Sequence, residues 1–230
     1  MIDEKWLELT DRKTETRESS PLSCVVFDIN QIYVNFHNSI KTIETDLEKG
    51  KELEKEGKKS IARDIYRFLV ACLESSFDFF IHCVVKLGFK EMYLQERDQT
   101  DRYRKYPIPL GVVTELLSDT TNSEPLVEYI NDRTAAETYL SYNKFKDALA
   151  FIDESLLSNV VDELYPINKY EDLKLFIEGI YMRRNLIVHQ DDRVHSTGKK
   201  AKISYTEVQN YKIEMVKLVD CIIRHLKGML

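Results

Sequence analysis

Residues 61–84 read IARDIYRFLVACLESSFDFFIHCV. Ile61, Ile65, Phe68, Leu69, Cys72, Phe79, Phe80, Cys83 and Val84 recur at steps of three and four, and Phe77 and Ile81 add a second apolar face. That period is helical, and a helix apolar on more than one side has to be enclosed by others. The stretch predicts a helix from about Lys59 to Leu87 inside a helical bundle, with Gly88 as its C-terminal stop.

Upstream, Leu22, Val25, Val26, Ile29, Tyr33, Phe36, Ile40, Ile43 and Leu47 keep the same step, which predicts a long amphipathic helix opened by Ser20-Pro21. Residues 1–20 are polar and read as a flexible leader. From Glu44 to Lys59 nearly every residue is charged and Gly50 and Gly57 interrupt, so the helix either protrudes into solvent there or ends in a charged turn. Downstream, Leu173, Phe176, Ile177, Ile180 and Tyr181 share one face of a helix from Tyr170 to about Val188. A polar turn over Gln190 to Lys202, with Gly198, leads to a last helix from Ser204–Thr206 to Leu226. Between residues 88 and 168 the pattern is broken by Pro107, Pro109 and Pro166 into short helical pieces. The expected architecture is all-α: an up-and-down helical bundle of about four long helices with an irregular helical insertion at 88–168, in one domain spanning 21–230.

Composition agrees. The 230 residues include only 7 glycines and 5 prolines, less than half the usual share of each, which disfavours turn-rich β folds and Gly-loop nucleotide folds. Cys24, Cys72, Cys83 and Cys221 stand singly in apolar surroundings without CxxC spacing; they read as core thiols of a reducing, cytoplasmic setting, and no metal or cofactor is expected. No secretory signal is read at the start, and the stretches Cys24–Phe36 and Phe77–Val85 are too short and interrupted to span a bilayer. Net charge is −6, which argues against coating nucleic acid with the whole surface. The charge is uneven, however. Residues 183–230 carry ten Lys/Arg against five Asp/Glu, and the rest of the chain 23 against 34. An acidic body with a basic terminal segment suits a site-confined RNA contact.

The basic segment opens with Arg183-Arg184-Asn185-Leu186-Ile187-Val188-His189-Gln190-Asp191, an apolar helix running into a polar turn. Asn185 and His189 fall on one helical face, while Arg184 and His189 are about 140° apart on an ideal helix. Arg184 and His189 can share a cleft only if the helix end unwinds or if two protomers meet around a twofold axis. The motif resembles the Arg-x4-6-His signature of the HEPN superfamily, in its Arg-Asn-x3-His form, and the helical layout is similar to HEPN proteins of the RiboL-PSP-like kind. The resemblance implies a homodimer with the site at the dimer groove, and an endoribonuclease of a toxin or antiviral-defence class held in check by an antitoxin or sensor partner. It also leaves open a non-catalytic helical module that binds a partner protein or nucleotide.

Metal-independent RNA cleavage needs little more than these groups. A histidine can take a proton from the 2′-hydroxyl or return one to the 5′-oxygen, and a guanidinium stabilises charge on the phosphorane. His189 is thus the candidate acid/base, Arg184 the phosphate stabiliser and Asn185 a supporting hydrogen-bond group, with a 2′,3′-cyclic phosphate as product. Arg183 reads either as a phosphate contact or, preferably, as solvated surface charge. Arg102, Arg104 and Lys105, with Tyr93, Tyr103 and Tyr106 interleaved, read evenly as an RNA clamp or as a solvated loop. Glu74 is a candidate supporting acid that, if buried, needs an arginine partner near the motif; the solvent-facing reading is preferred. His189, Asp191, Asp192 and His195 match no zinc template. His82 and His225 read as packed residues, His37 as helix surface.

Overall fold

The computed structural model describes residues 25–135 and 137–228. The leader and the expected helix start at Ser20-Pro21 lie outside them. The described residues form nine α-helices and no β-strand.

Helix α1 (Ile29–Lys55) begins at a capping box: the Asp28 carboxylate accepts from the backbone N–H groups of Asn30 and Gln31, and the Gln31 side chain accepts from the Asp28 N–H. Val25 and Val26, expected inside the helix, therefore precede it. The stripe Ile32, Phe36, Ile40, Ile43 and Leu47 is buried. The charged stretch does not break the helix at Gly50. Gly50 is buried against Tyr66, and a Cβ there would sit 2.6 Å from Tyr66 Cε1. Glycine is present because the two helices approach too closely for a side chain. The turn comes at Gly57, whose φ of 85° suits glycine, and residues 55–60 around it are all exposed.

Helix α2 (Lys59–Tyr93) is the axis of the molecule, packing along α1 and against the later helices α5, α6, α8 and α9. Tyr66, Leu69, Val70, Leu73, Phe77, Phe80, Ile81 and Val84 are buried. Two expectations are corrected here. Gly88 does not stop the helix; it lies inside it, buried, with Ile152 so near that an added Cβ would come within 3.2 Å. The apolar stripe is also not all core, because Ile61, Phe68 and Phe79 remain 54%, 63% and 51% exposed. By length and composition α2 could cross a membrane, but most of its apolar window is buried within the protein.

The middle consists of α3 (Asp101–Arg104), α4 (Leu110–Ser118), α5 (Glu124–Thr134), α6 (Tyr142–Ile152) and α7 (Leu156–Leu164). Leu126, Ile130, Phe145, Leu149, Leu156 and Val160 from these helices are fully buried in the same apolar cluster as α1 and α2. Helix α8 (Tyr170–Gln190) lies against α2, and α9 (Tyr205–Gly228) closes against α1, α2 and α7.

The close approach at Gly50 makes an unusual sign prediction. Replacing a helical glycine by alanine ordinarily adds about 1 kcal/mol of stability. Gly179→Ala, on the exposed face of α8 with nothing nearby, should do so. Gly50→Ala should instead lose about 1–3 kcal/mol through overpacking against Tyr66. Thermal melts of the two variants beside the wild type check this, with opposite shifts expected.

Candidate active site

The motif occupies the last two turns of α8. The helix runs regularly through His189 to Gln190, and Asp191 then takes a left-handed conformation with φ of 50°, followed by Asp192 at 56°. Two consecutive non-glycine residues with positive φ are uncommon and cost energy. The compensation is the Asp192 carboxylate, which is wholly buried. Its Oδ2 accepts from Arg67 Nε of α2 at 2.7 Å and from Arg183 Nη2 at 3.1 Å, while Arg183 Nη1 lies 2.8 Å from Oδ1 as an ion pair without a hydrogen bond. The same guanidiniums continue outward, Arg67 Nη2 donating to the Ala201 carbonyl at 2.7 Å and Arg183 Nη2 to the Lys202 carbonyl at 2.8 Å. One carboxylate and two arginines thus tie α2, the end of α8 and the approach to α9 together. Arg183 is accordingly a structural cation with 13% of its side chain exposed, neither solvated nor open to phosphate.

Arg184 turns the other way, toward α2. Its Nε lies 3.7 Å from Glu74 Oε2, and its Nη1 donates to Asn185 Oδ1 at 3.1 Å. Glu74 is 1% exposed, which overturns the solvent-facing expectation, and neither of its oxygens has a hydrogen-bond partner. At 3.7 Å without a hydrogen bond the Arg184 attraction is weak. Burial outweighs it and pushes the Glu74 carboxyl from 4.5 up to about 8, with Asp78 adding repulsion. Near neutrality Glu74 therefore holds a proton for much of the time and leaves the Arg184 charge uncancelled.

His189 lies on a third side. Together with Tyr181, Met182, Asn185, Leu186 and Gln190 it lines an open groove of about 390 Å³ along α8. Tyr181, Asn185 and His189 follow at i, i+4 and i+8, so the groove is one helical face. Arg184 is not part of its lining. The helix does not unwind, so the Arg184 and His189 side chains leave it about 140° apart, and Asn185, which lines the groove beside His189, accepts from Arg184.

The remaining candidates lie elsewhere. Arg102 on α3 pairs with Asp147 of α6 at 2.9 Å, and Lys105 pairs with Asp101 at 3.4 Å, while Arg104 is exposed. Tyr103 and Tyr106 are half-buried, their rings packed on Phe89 at centroid distances of 5.8 and 4.9 Å, and Tyr106 lines a cavity of about 230 Å³ together with Arg102. The Asp191 carboxylate is engaged by Arg193 and Lys200, each at 2.9 Å, and Lys200 chiefly holds its carboxyl below the usual range. His195 is exposed. His37, expected at the surface, is half-buried and 2.8 Å from Asp220. Sequence reasoning missed Asp192 as an anchor; the available signal was Arg67, a permanent cation inside the apolar helix α2.

Glu74 generates a pH prediction. Its folded pKa is raised, so its contribution to stability is fully present below 4.5 and is lost as pH rises through about 8. Glu74→Gln keeps the shape without the ionisation. The variant should match the wild type near the low end of this range and exceed it at the high end by on the order of a few kcal/mol. Thermal melts across the range check it, and a constant difference would contradict the burial of this carboxyl. Comparison of the chain with known protein families, curated proteins and solved structures finds no match.

Proposed function

We propose that the chain is a HEPN-type endoribonuclease, an up-and-down bundle with a helical insertion that acts as a cytoplasmic homodimer and cleaves RNA without metal. The observation that carries the reading is the Arg184-Asn185-x3-His189 motif at the end of α8, with His189 in an open groove and Arg184 backed by a buried, largely protonated Glu74. His189 moves the proton between the 2′-hydroxyl and the 5′-oxygen, Arg184 stabilises the phosphorane, and Asn185 orients the guanidinium. A toxin or antiviral role, with an antitoxin or sensor partner, follows from the resemblance.

Two features support a dimer. Arg184 and His189 leave the helix about 140° apart, which suits a cleft completed by a second copy. The exposed Ile61, Phe68 and Phe79 on α2 and Leu175, Met182 and Val188 on the neighbouring α8 also offer apolar surface next to the motif. The same divergence favours a second reading, a non-catalytic helical module in which the Arg184–Glu74 pair is structural.

Purified protein incubated with total RNA in EDTA should leave 2′,3′-cyclic phosphate ends. His189→Ala and Arg184→Ala should each lower the rate by at least about 100-fold while the helical signal stays intact. Full cleavage by either variant would sink the mechanism, and no cleavage by the wild type would favour the binding module. If each site takes Arg184 from one protomer and His189 from the other, refolding the two inactive variants together should restore about a quarter of wild-type activity, since half the dimers are mixed and each carries one intact site. A mixture as inactive as its components would rule out a site shared in this way.

A further inference from the structure

A second group of reactive side chains lies away from the motif, where α7 meets α9. Cys221 and His225 are one turn apart on α9, and Glu163 comes from the last turn of α7. The Cys221 sulfur, a His225 ring nitrogen and a Glu163 oxygen all lie within 4.8 Å of one another, and His225 Nε2 is 3.0 Å from Glu163 Oε2. A tetrahedral zinc ion with ordinary bond lengths separates its donors by about 3.3–3.7 Å, so the three atoms are within about 1 Å of a coordinating arrangement.

The surroundings are those of a metal site as much as of an ion pair. Arg224 binds the other carboxylate oxygen, Glu163 Oε1, which fixes the carboxylate plane and leaves Oε2 turned toward His225. That is the role an outer partner plays for a metal-bound carboxylate. The ligand set itself is neutral, a divalent cation with one thiolate, one carboxylate and a neutral imidazole, and Arg224 stays outside it on Glu163 Oε1.

We propose that Glu163, Cys221 and His225 bind a borderline-soft divalent cation of the zinc class, with the fourth position left to water. Binding displaces the Cys221 thiol proton to solvent as the sulfur–metal bond forms, and His225 gives up its contact with Glu163 to enter the coordination sphere as neutral imidazole. The mixed sulfur, nitrogen and oxygen donor set selects against magnesium and calcium, which take oxygen ligands. The ion staples α7 to α9, a role separate from the groove on α8 and independent of whether RNA is cleaved there.

Cobalt(II) is the direct probe, because a thiolate ligand gives it a near-ultraviolet charge-transfer band. Tag-free full-length protein, freed of metal by chelator and titrated with cobalt, should develop that band and saturate at one equivalent, and one equivalent of zinc should abolish it. Cys221→Ser should remove the band and Cys72→Ser should leave it. His225→Ala and Glu163→Ala, which change partly exposed side chains, should each weaken cobalt binding at least about tenfold with helix content unchanged. No band in the wild type, a band that survives Cys221→Ser, or affinity undiminished in both His225→Ala and Glu163→Ala would overturn the proposal.

Discussion

The Asp192 carboxylate decides how the second half of the molecule is joined to the first. It is wholly buried, which is tolerable only because Arg67 and Arg183 reach it at 2.7 and 2.8 Å. The three residues come from α2, from α8 and from the turn after α8. Through the Ala201 and Lys202 carbonyls the same arginines also set the chain's approach to α9. Apolar contact alone would allow α8 to slide along α2. A hydrogen-bonded ion triad has one geometry, and it determines where the end of α8, and with it His189, is presented.

Seen from this anchor, the two halves of the motif have different mechanical standing. Arg184 follows Arg183 and is turned toward α2, with its hydrogen bond to the neighbouring Asn185 and the buried Glu74 carboxyl 3.7 Å away. His189 is beyond the last buried position of α8 and faces solvent on the groove side. The cation is half-buried against α2 and the imidazole is exposed. That division suits chemistry in which the charge stabiliser must be placed accurately while the proton carrier completes its surroundings only in the assembled complex.

Much of the fold was legible because its signal is local. The periodic stripes of α1, α2, α8 and α9 carry their own evidence, and the prolines at 107, 109 and 166 mark real breaks. The errors arose where a residue answers to something distant in sequence. Gly50 and Gly88 resemble helix stops and are contact points, chosen by Tyr66 and Ile152 across an interface. Phe68 and Phe79 carry the helical period of core residues and face outward. Glu74 resembles a surface acid, and its burial follows from the position of α8, over a hundred residues later. At the candidate site the sequence identified Arg184, Asn185 and His189 and their angular divergence, but not the anchor at Asp192. It also missed the grouping of Glu163 with Cys221 and His225, because a spacing rule for ligands in loops does not register a helical turn facing a second helix.

The hairpin between α1 and α2 has a practical consequence. Its tip is exposed from residue 55 to residue 60, carries charge almost throughout, and closes on Gly57 with bonds that are all local. No tertiary contact is spent there, although the two longest helices of the molecule meet at that point. Added mass after Gly57, such as a peptide tag or a fluorescent reporter, would project into solvent without loading the core, the groove or the α7–α9 junction. The tip of this hairpin is thus a natural handle for labelling.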